Sequence, residues 1–192
     1  MPRALAVFLL GSLLMAPAGT AAQIRVARID SARADVDPLA APAGVKAIVF
    51  LFTATDCPVS NRYAPEIQRI EKTFGPQGVL FRLIYPNPAD DAAAIREHMT
   101  AFAYAGTQAF RDQTHDLVRF TGVTVTPEVA VVANGHVVYR GRVDDRFVDL
   151  GRERPAPTRH DLADALTATL AGKPVAPATT QAVGCVIADF TR

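Results

Sequence analysis

Phe50-Leu51-Phe52-Thr53-Ala54-Thr55-Asp56-Cys57-Pro58-Val59-Ser60 is the stretch on which the reading of this chain turns. A hydrophobic run ends abruptly in it and a helical pattern begins. Cys57 therefore falls at a strand-to-helix junction, with its sulfur near the free N–H groups of the helix's first turn. Those groups and the helix dipole stabilise an anion, so the thiolate is favoured and its pKa falls. The thiolate is the nucleophilic form, and the placement points to redox or nucleophilic chemistry. The blander alternative is an inert buried cysteine, or half of a structural disulfide.

Outward from the junction, Val45 to Thr53 is a near-continuous apolar run with β-branched and aromatic members. That is the pattern of a strand buried on both faces. Tyr63, Ile67, Ile70 and Phe74 recur at helical spacing and predict a helix from Val59 to Phe74. Pro65 lies inside it and should kink or shift it locally, and Gly75-Pro76 ends it. Val79 to Tyr85 reads as a second strand, stopped by Pro86-Asn87-Pro88. Asp90 to Tyr104 is helical in composition, with Asp90 and Asp91 suited to its positive end. Ala109-Phe110 is a short strand, and Thr114 to Phe120 a short helix closed by Gly122. Val129 to Ala133, Asn134-Gly135 and His136 to Tyr139 form a β-hairpin with a two-residue turn. Thr158 caps a last helix running to Leu170, which Gly172-Lys173-Pro174 ends. Gln23 to Ile29 is an edge strand, Asp30 to Gly44 a loop, and Val175 to Arg192 an irregular tail carrying Cys185. This order implies an α/β fold with a mixed central sheet flanked by helices.

Met1-Pro2-Arg3, the apolar run Ala4 to Met15 and the small residues through Ala22 have the form of a cleaved secretory signal. The run is too short to span a bilayer comfortably, and no later stretch is long and apolar enough for a membrane span. The expected organisation is a signal over 1–22, one domain over 23–172 and a tail over 173–192, in a periplasmic or secreted protein. The net charge of +1, with both signs mixed along the chain, argues against a nucleic-acid partner. Outside the cytosol disulfides persist, so the two cysteines allow one Cys57–Cys185 bridge or two separate thiols.

Several local features resemble the thioredoxin-like superfamily. Phe52-Thr53-Ala54-Thr55-Asp56-Cys57 is similar to the thioredoxin segment Phe-Trp-Ala-x-Trp-Cys, without its tryptophans. Pro65 stands where thioredoxins carry the proline of the active-site helix, and Thr126-Pro127 where they carry the cis-proline loop. Arg111-Asp112-Gln113 to Gly122-Val123 looks like the segment before that loop in exported redoxins. The run from Thr55 through Pro65 to Ile67 resembles an exported bacterial redoxin subgroup, related to the alkyl hydroperoxide reductase/thiol-specific antioxidant family. The resemblance implies a thioredoxin-like fold over about Val45 to Leu170 and a thiol-based oxidoreductase, with a cis Thr126-Pro127 bond. A cis bond there is cheap, because an X–Pro amide lowers its cost to about 0.5–1 kcal/mol.

The departures shape the expected chemistry. Ser60 replaces the second cysteine of Cys-x-x-Cys, and Leu51 stands where thioredoxins bury an acid. Peroxiredoxins have Thr-x-x-Cys-Pro; here Cys57-Pro58 is kept, but Ala54 takes the threonine position, with Thr53 and Thr55 out of register. Arg140 and Arg142 are candidates for the peroxiredoxin arginine. Cys57 is read as the nucleophile, attacking a peroxide oxygen or a disulfide sulfur, and Cys185 as the resolving thiol on a mobile tail. Ser60 and Thr55 are candidates for assisting the sulfur, and Pro58, Thr126, Pro127 and Arg140 for lining the substrate groove. An external thiol reductant or redox protein is implied, and the substrate is a peroxide or a protein disulfide. No organic cofactor is implied. The alternative is a non-catalytic binding module that docks a partner or copper, with a static Cys57–Cys185 disulfide. His98, His115, His136 and His160 show no ligand spacing, so no metal ligand is assigned. Asp144-Asp145-Arg146 reads as a solvated loop held by surface ion pairs, or as a docking surface beside the site.

Overall fold

In the structure, a computed structural model, residues 24–29, 36–104 and 106–188 are described. The secretory signal expected over 1–22 lies outside them. The chain folds as β1 (Ala27–Arg28), β2 (Ala47–Phe52), α1 (Pro58–Phe74), β3 (Val79–Tyr85), α2 (Ala92–Ala101), β4 (Gln108–Arg111) and α3 (Asp116–Thr121). It continues with β5 (Val125–Thr126), β6 (Glu128–Ala133), β7 (His136–Gly141), β8 (Phe147–Asp149), β9 (Arg152–Glu153), α4 (Asp161–Leu170) and β10 (Cys185–Val186).

A six-stranded mixed sheet in the order β1-β4-β3-β2-β6-β7 forms the centre. β2 is parallel to β3 and antiparallel to β6, with Phe52 opposite Ile84 on one side and Glu128 on the other. Both faces of β2 are covered, as its unbroken apolar run requires. Val49 and Leu51 pack with Ile67 and Ile70 of α1 and Leu162 and Leu166 of α4. Ile48, Phe50 and Phe52 pack with Leu117 of α3 on the opposite face. Each such side chain contributes about 1.5–3 kcal/mol by leaving water. Several of them therefore hold the strand that delivers Cys57.

Local rules explain most boundaries. Asp91 is the N-cap of α2 and accepts hydrogen bonds from the N–H groups of Ala93 and Ala94, both at 2.8 Å. Asn134 and Gly135 take positive φ values of 51° and 77°, the conformation that a tight hairpin between β6 and β7 demands. Helix α1 runs unbroken across Pro65.

Three expectations change. Thr158 does not cap α4: the N-cap is His160, and the Thr158 hydroxyl donates to Asp145 at 2.6 Å. The Asp144-Asp145 segment is not a solvated loop, since both carboxylates are buried. Asp144 accepts from the Tyr63 hydroxyl at 2.6 Å, and Asp145 accepts from the N–H groups of Thr158 and Arg159. The hydrogen bond from the Thr158 hydroxyl, with these N–H groups and Arg154, holds the Asp145 carboxyl well below the usual carboxylate range. An aspartate can fold a loop around itself by accepting backbone N–H bonds, and that is its role here. Finally, the tail is not irregular throughout. Its β10 pairs with β5, placing Cys185 opposite Thr126.

Candidate active site

Cys57 is the N-cap of α1, extended at φ −84° and ψ 109°, and Pro58 follows as the first helical residue. Pro58 suits that position because the N–H it lacks would have no partner within the helix. The sulfur is fully buried. Burial raises the Cys57 pKa, but the Cys185 thiol and the N–H and hydroxyl of Ser60 outweigh it, and the net shift is downward. The Ser60 hydroxyl is buried and near enough to bear on the sulfur, yet it has no hydrogen-bond partner among the described residues.

The two cysteines meet. The Cys185 thiol donates to the Cys57 sulfur at 2.8 Å, and the Cys57 thiol points at the Thr126 carbonyl at 3.0 Å. The Thr126-Pro127 bond is cis, as the resemblance implied, and both residues are buried. The Thr126 hydroxyl donates to the Cys185 carbonyl at 3.5 Å. Cys185 itself is partly exposed, and burial together with the neighbouring Cys57 pushes its thiol up to about 12. The two thiols are thus pushed in opposite directions, Cys57 down and Cys185 up, with Cys185 donating to Cys57.

The tail that delivers Cys185 has two attachments. The first is on β7. There Arg140 N–H donates to the Ala178 carbonyl at 2.9 Å, and Thr180 N–H returns a bond to the Arg140 carbonyl at 3.0 Å. The second is β10, extended by Ile187 N–H donating to the Thr124 carbonyl at 3.0 Å. Gly184 makes that approach feasible, since a Cβ there would stand 2.1 Å from the Thr126 carbonyl oxygen. Only a residue without a side chain fits. The expected mobile tail is, in this structure, docked.

Thr55 and Arg140 are placed elsewhere. The Thr55 hydroxyl donates to Asp90 at 2.5 Å. The Arg140 guanidinium donates to the Gly122 carbonyl and lies 4.0 Å from Glu128. Neither side chain has a hydrogen bond or ion pair to a cysteine among the described residues. The sequence reading missed a polar network beneath the junction. The Asn61 amide donates to the Thr55 carbonyl at 3.4 Å and its Oδ1 meets His98 Nε2 at 2.8 Å. His98 Nδ1 in turn meets the Tyr85 hydroxyl at 2.9 Å. These residues lie on different elements, so no local spacing announces them. Among the described residues no cluster of three or more His, Cys, Asp or Glu is placed to hold a metal ion.

No protein-family model matches the chain, and no curated protein matches it. Solved structures do. An uncharacterised conserved protein from Geobacillus kaustophilus superposes with a TM-score of 0.66 at 24% identity, over 77% of this chain and 79% of that one. MTB DsbF, solved in mixed oxidised and reduced forms, matches with a TM-score of 0.54 at 20% identity, over 77% and 95%. A secreted Mycobacterium tuberculosis disulfide oxidoreductase homologous to E. coli DsbE matches with a TM-score of 0.50 at 16% identity, over 78% and 96%. The fold is thioredoxin-like. In this thioredoxin-like chain the second thiol comes from the C-terminal segment and not from α1, where Ser60 stands.

Proposed function

We propose that the chain is an exported thiol–disulfide oxidoreductase whose redox pair is Cys57 and Cys185. The observation that carries this is the 2.8 Å contact between two free thiols at the start of a helix, with the nucleophilic sulfur against the Thr126 carbonyl. Cys57 attacks one sulfur of a substrate disulfide as a thiolate, forming a mixed disulfide and expelling the other sulfur as a thiolate. Cys185, deprotonated as it attacks, then strikes the Cys57 sulfur, releasing the second substrate thiolate and closing the Cys57–Cys185 bond. Two electrons pass from the pair to the substrate, and an external thiol reductant restores the dithiol. Because Cys57 is buried, β10 must lift before a substrate reaches it.

Export draws support from the signal-like residues 1–22 and from the likeness to a secreted disulfide oxidoreductase. No helix among the described residues is long and apolar enough to cross a membrane. Peroxide reduction draws less support. The Thr55 hydroxyl is engaged by Asp90 and the Arg140 guanidinium by Gly122 and Glu128, leaving neither aimed at the sulfur.

Equilibration of the mature protein across glutathione redox buffers, with thiol mapping by mass spectrometry, tests the reading. A reversible Cys57–Cys185 bond is expected. A bond that resists every buffer would make it a static staple, and its failure to form would end the proposal. One equivalent of hydrogen peroxide, added to the dithiol, should react no faster than with free cysteine.

A further inference from the structure

The two sulfurs of the proposed pair differ in access, and this difference decides how the disulfide is reduced. Cys57 is fully buried, covered by β10 and the Thr126-Pro127 turn. Cys185 is only partly buried, and it lines a cavity of about 210 Å³ with Ala54, Asp56, Asn87, Thr126 and Ile187. Cys57 does not line that cavity. Bringing the sulfurs from 2.8 Å to a bond of about 2.05 Å needs no departure of β10. The oxidised chain therefore keeps Cys57 covered and Cys185 facing the cavity.

Resting on the thiol-exchange reading above, we propose that a low-molecular-weight thiol entering this cavity reduces the disulfide by attacking Cys185. The thiolate R–S⁻ bonds to the Cys185 sulfur, the Cys57–Cys185 bond breaks, and Cys57 leaves as a thiolate. A second R–S⁻ attacks the mixed disulfide, giving R–S–S–R and the Cys185 thiolate, which takes a proton from solvent. The two electrons come from two thiols. Cys57 is the better leaving group, since its pKa is lowered while that of Cys185 is raised. Access and leaving-group strength thus favour the same sulfur. The small size of the reductant follows from two features. The cavity is smaller than the roughly 300–1,000 Å³ of a drug-sized ligand's site. The β5 edge, where an extended polypeptide would add as a strand, is already paired with β10.

Asp56 is exposed on the cavity wall, and its carboxylate adds to the upward push on the Cys185 thiol. An anionic thiol meets repulsion there, and a cationic one does not. Of two common small thiols, cysteamine is therefore favoured over glutathione by charge.

The test uses the oxidised full-length mature protein. Brief exposure to cysteamine, acid quenching, alkylation of free thiols and peptide mapping identify the first mixed disulfide. Cysteamine on Cys185 with alkylated Cys57 is expected, in at least about tenfold excess over the reverse. Predominant modification of Cys57 would overturn the inference. Asp56→Asn should raise the rate with glutathione relative to cysteamine by about two- to fivefold, as for an exposed charge pair. An unchanged ratio would remove the cavity as the route. A starting material without the Cys57–Cys185 bond would sink the thiol-exchange reading and this inference together, whereas a bond opened at Cys57 would sink this inference alone.

Discussion

Cys57 and Cys185 touch, yet they are held in opposite ways. Cys57 sits between β2 and α1, whose apolar residues are packed on both faces of the sheet. Moving its backbone means disturbing the core. Cys185 lies in a two-residue strand, and the tail before it is tied to β7 by backbone bonds of Arg140 and by the Thr180 hydroxyl, which meets Tyr139 and Arg142. The two-residue strand itself, partly exposed and paired on one edge only, is the segment that opens locally at lower free-energy cost than the core. One sulfur is fixed by the fold and the other by a detachable strand. That division suits a pair in which the low-pKa nucleophile must be held and the resolving thiol must come and go.

The sharpest way to break this comparison is to exchange the two sulfurs' roles. Cys57→Ser should reduce turnover of a disulfide substrate to the uncatalysed rate. Cys185→Ser should leave a stoichiometric mixed disulfide on Cys57, visible by mass. A mixed disulfide trapped on Cys185 in Cys57→Ser, or none on Cys57 in Cys185→Ser, would mean that the cysteines are not divided in this manner.

Stability should divide along the same line. Asp145→Ala removes the acceptor for two backbone N–H groups and the Thr158 hydroxyl at a buried position. The expected loss is about 2–3 kcal/mol, which lowers Tm by roughly 4–12 °C in a domain of this size. Alkylation of Cys185, on the tail, should keep its wild-type rate in buffer at room temperature. A Tm within 1 °C or so of wild type would mean the buried carboxylate carries none of the load assigned to it.

How far the sequence foretold this site follows the same division. The Val45 to Thr53 run, the strand-to-helix junction and the Asn134-Gly135 turn each carry their own physical signature, and the described structure agrees with them. Residues coded by tertiary contact were read poorly. Asp145 gathers Thr158 and Arg159 from farther along the chain, and composition alone made that segment look like solvated surface. Thr55 carries a hydroxyl near the cysteine in sequence, but Asp90 claims it. Gly184 immediately before Cys185 was an available signal. A glycine beside the lone tail cysteine marks a close backbone approach, and the Thr126 carbonyl is what it approaches.

That glycine offers a way to separate the tail from the core. Gly184→Val places side-chain atoms where the Thr126 carbonyl stands. Overpacking of this kind costs about 1–3 kcal/mol, enough to raise the open population of β10 roughly 5- to 150-fold. Alkylation of Cys57 by iodoacetamide should accelerate by that factor while Tm stays near wild type. A large drop in Tm without faster alkylation would show that β10 is part of the cooperative core.

The smallest effect probes the core side through pH. Burial lowers the His98 pKa, with Asp90 opposing weakly, so the folded protein holds this imidazole neutral between Asn61 and Tyr85. The unfolded chain, with a histidine pKa of about 6.5, binds the proton at higher pH than the folded chain does. Between the two pKa values the unfolded state carries more protons, so stability rises with pH. The His98 contribution is therefore complete above about pH 6.5 and is lost as pH falls through the folded value. Glu71 and Asp112, raised by burial, act oppositely, their contributions being lost as pH rises through their folded values. The useful quantity is consequently the difference between wild type and His98→Gln, measured by urea unfolding at pH 7.5 and at pH 5.5. Wild type should lose its advantage over the variant at the lower pH. Because His98 bonds Asn61, whose amide holds the Thr55 carbonyl ahead of Cys57, the same acidification should loosen the nucleophile's own loop. Curves that stay parallel would show that the imidazole is not held neutral, and would remove this network from what fixes Cys57.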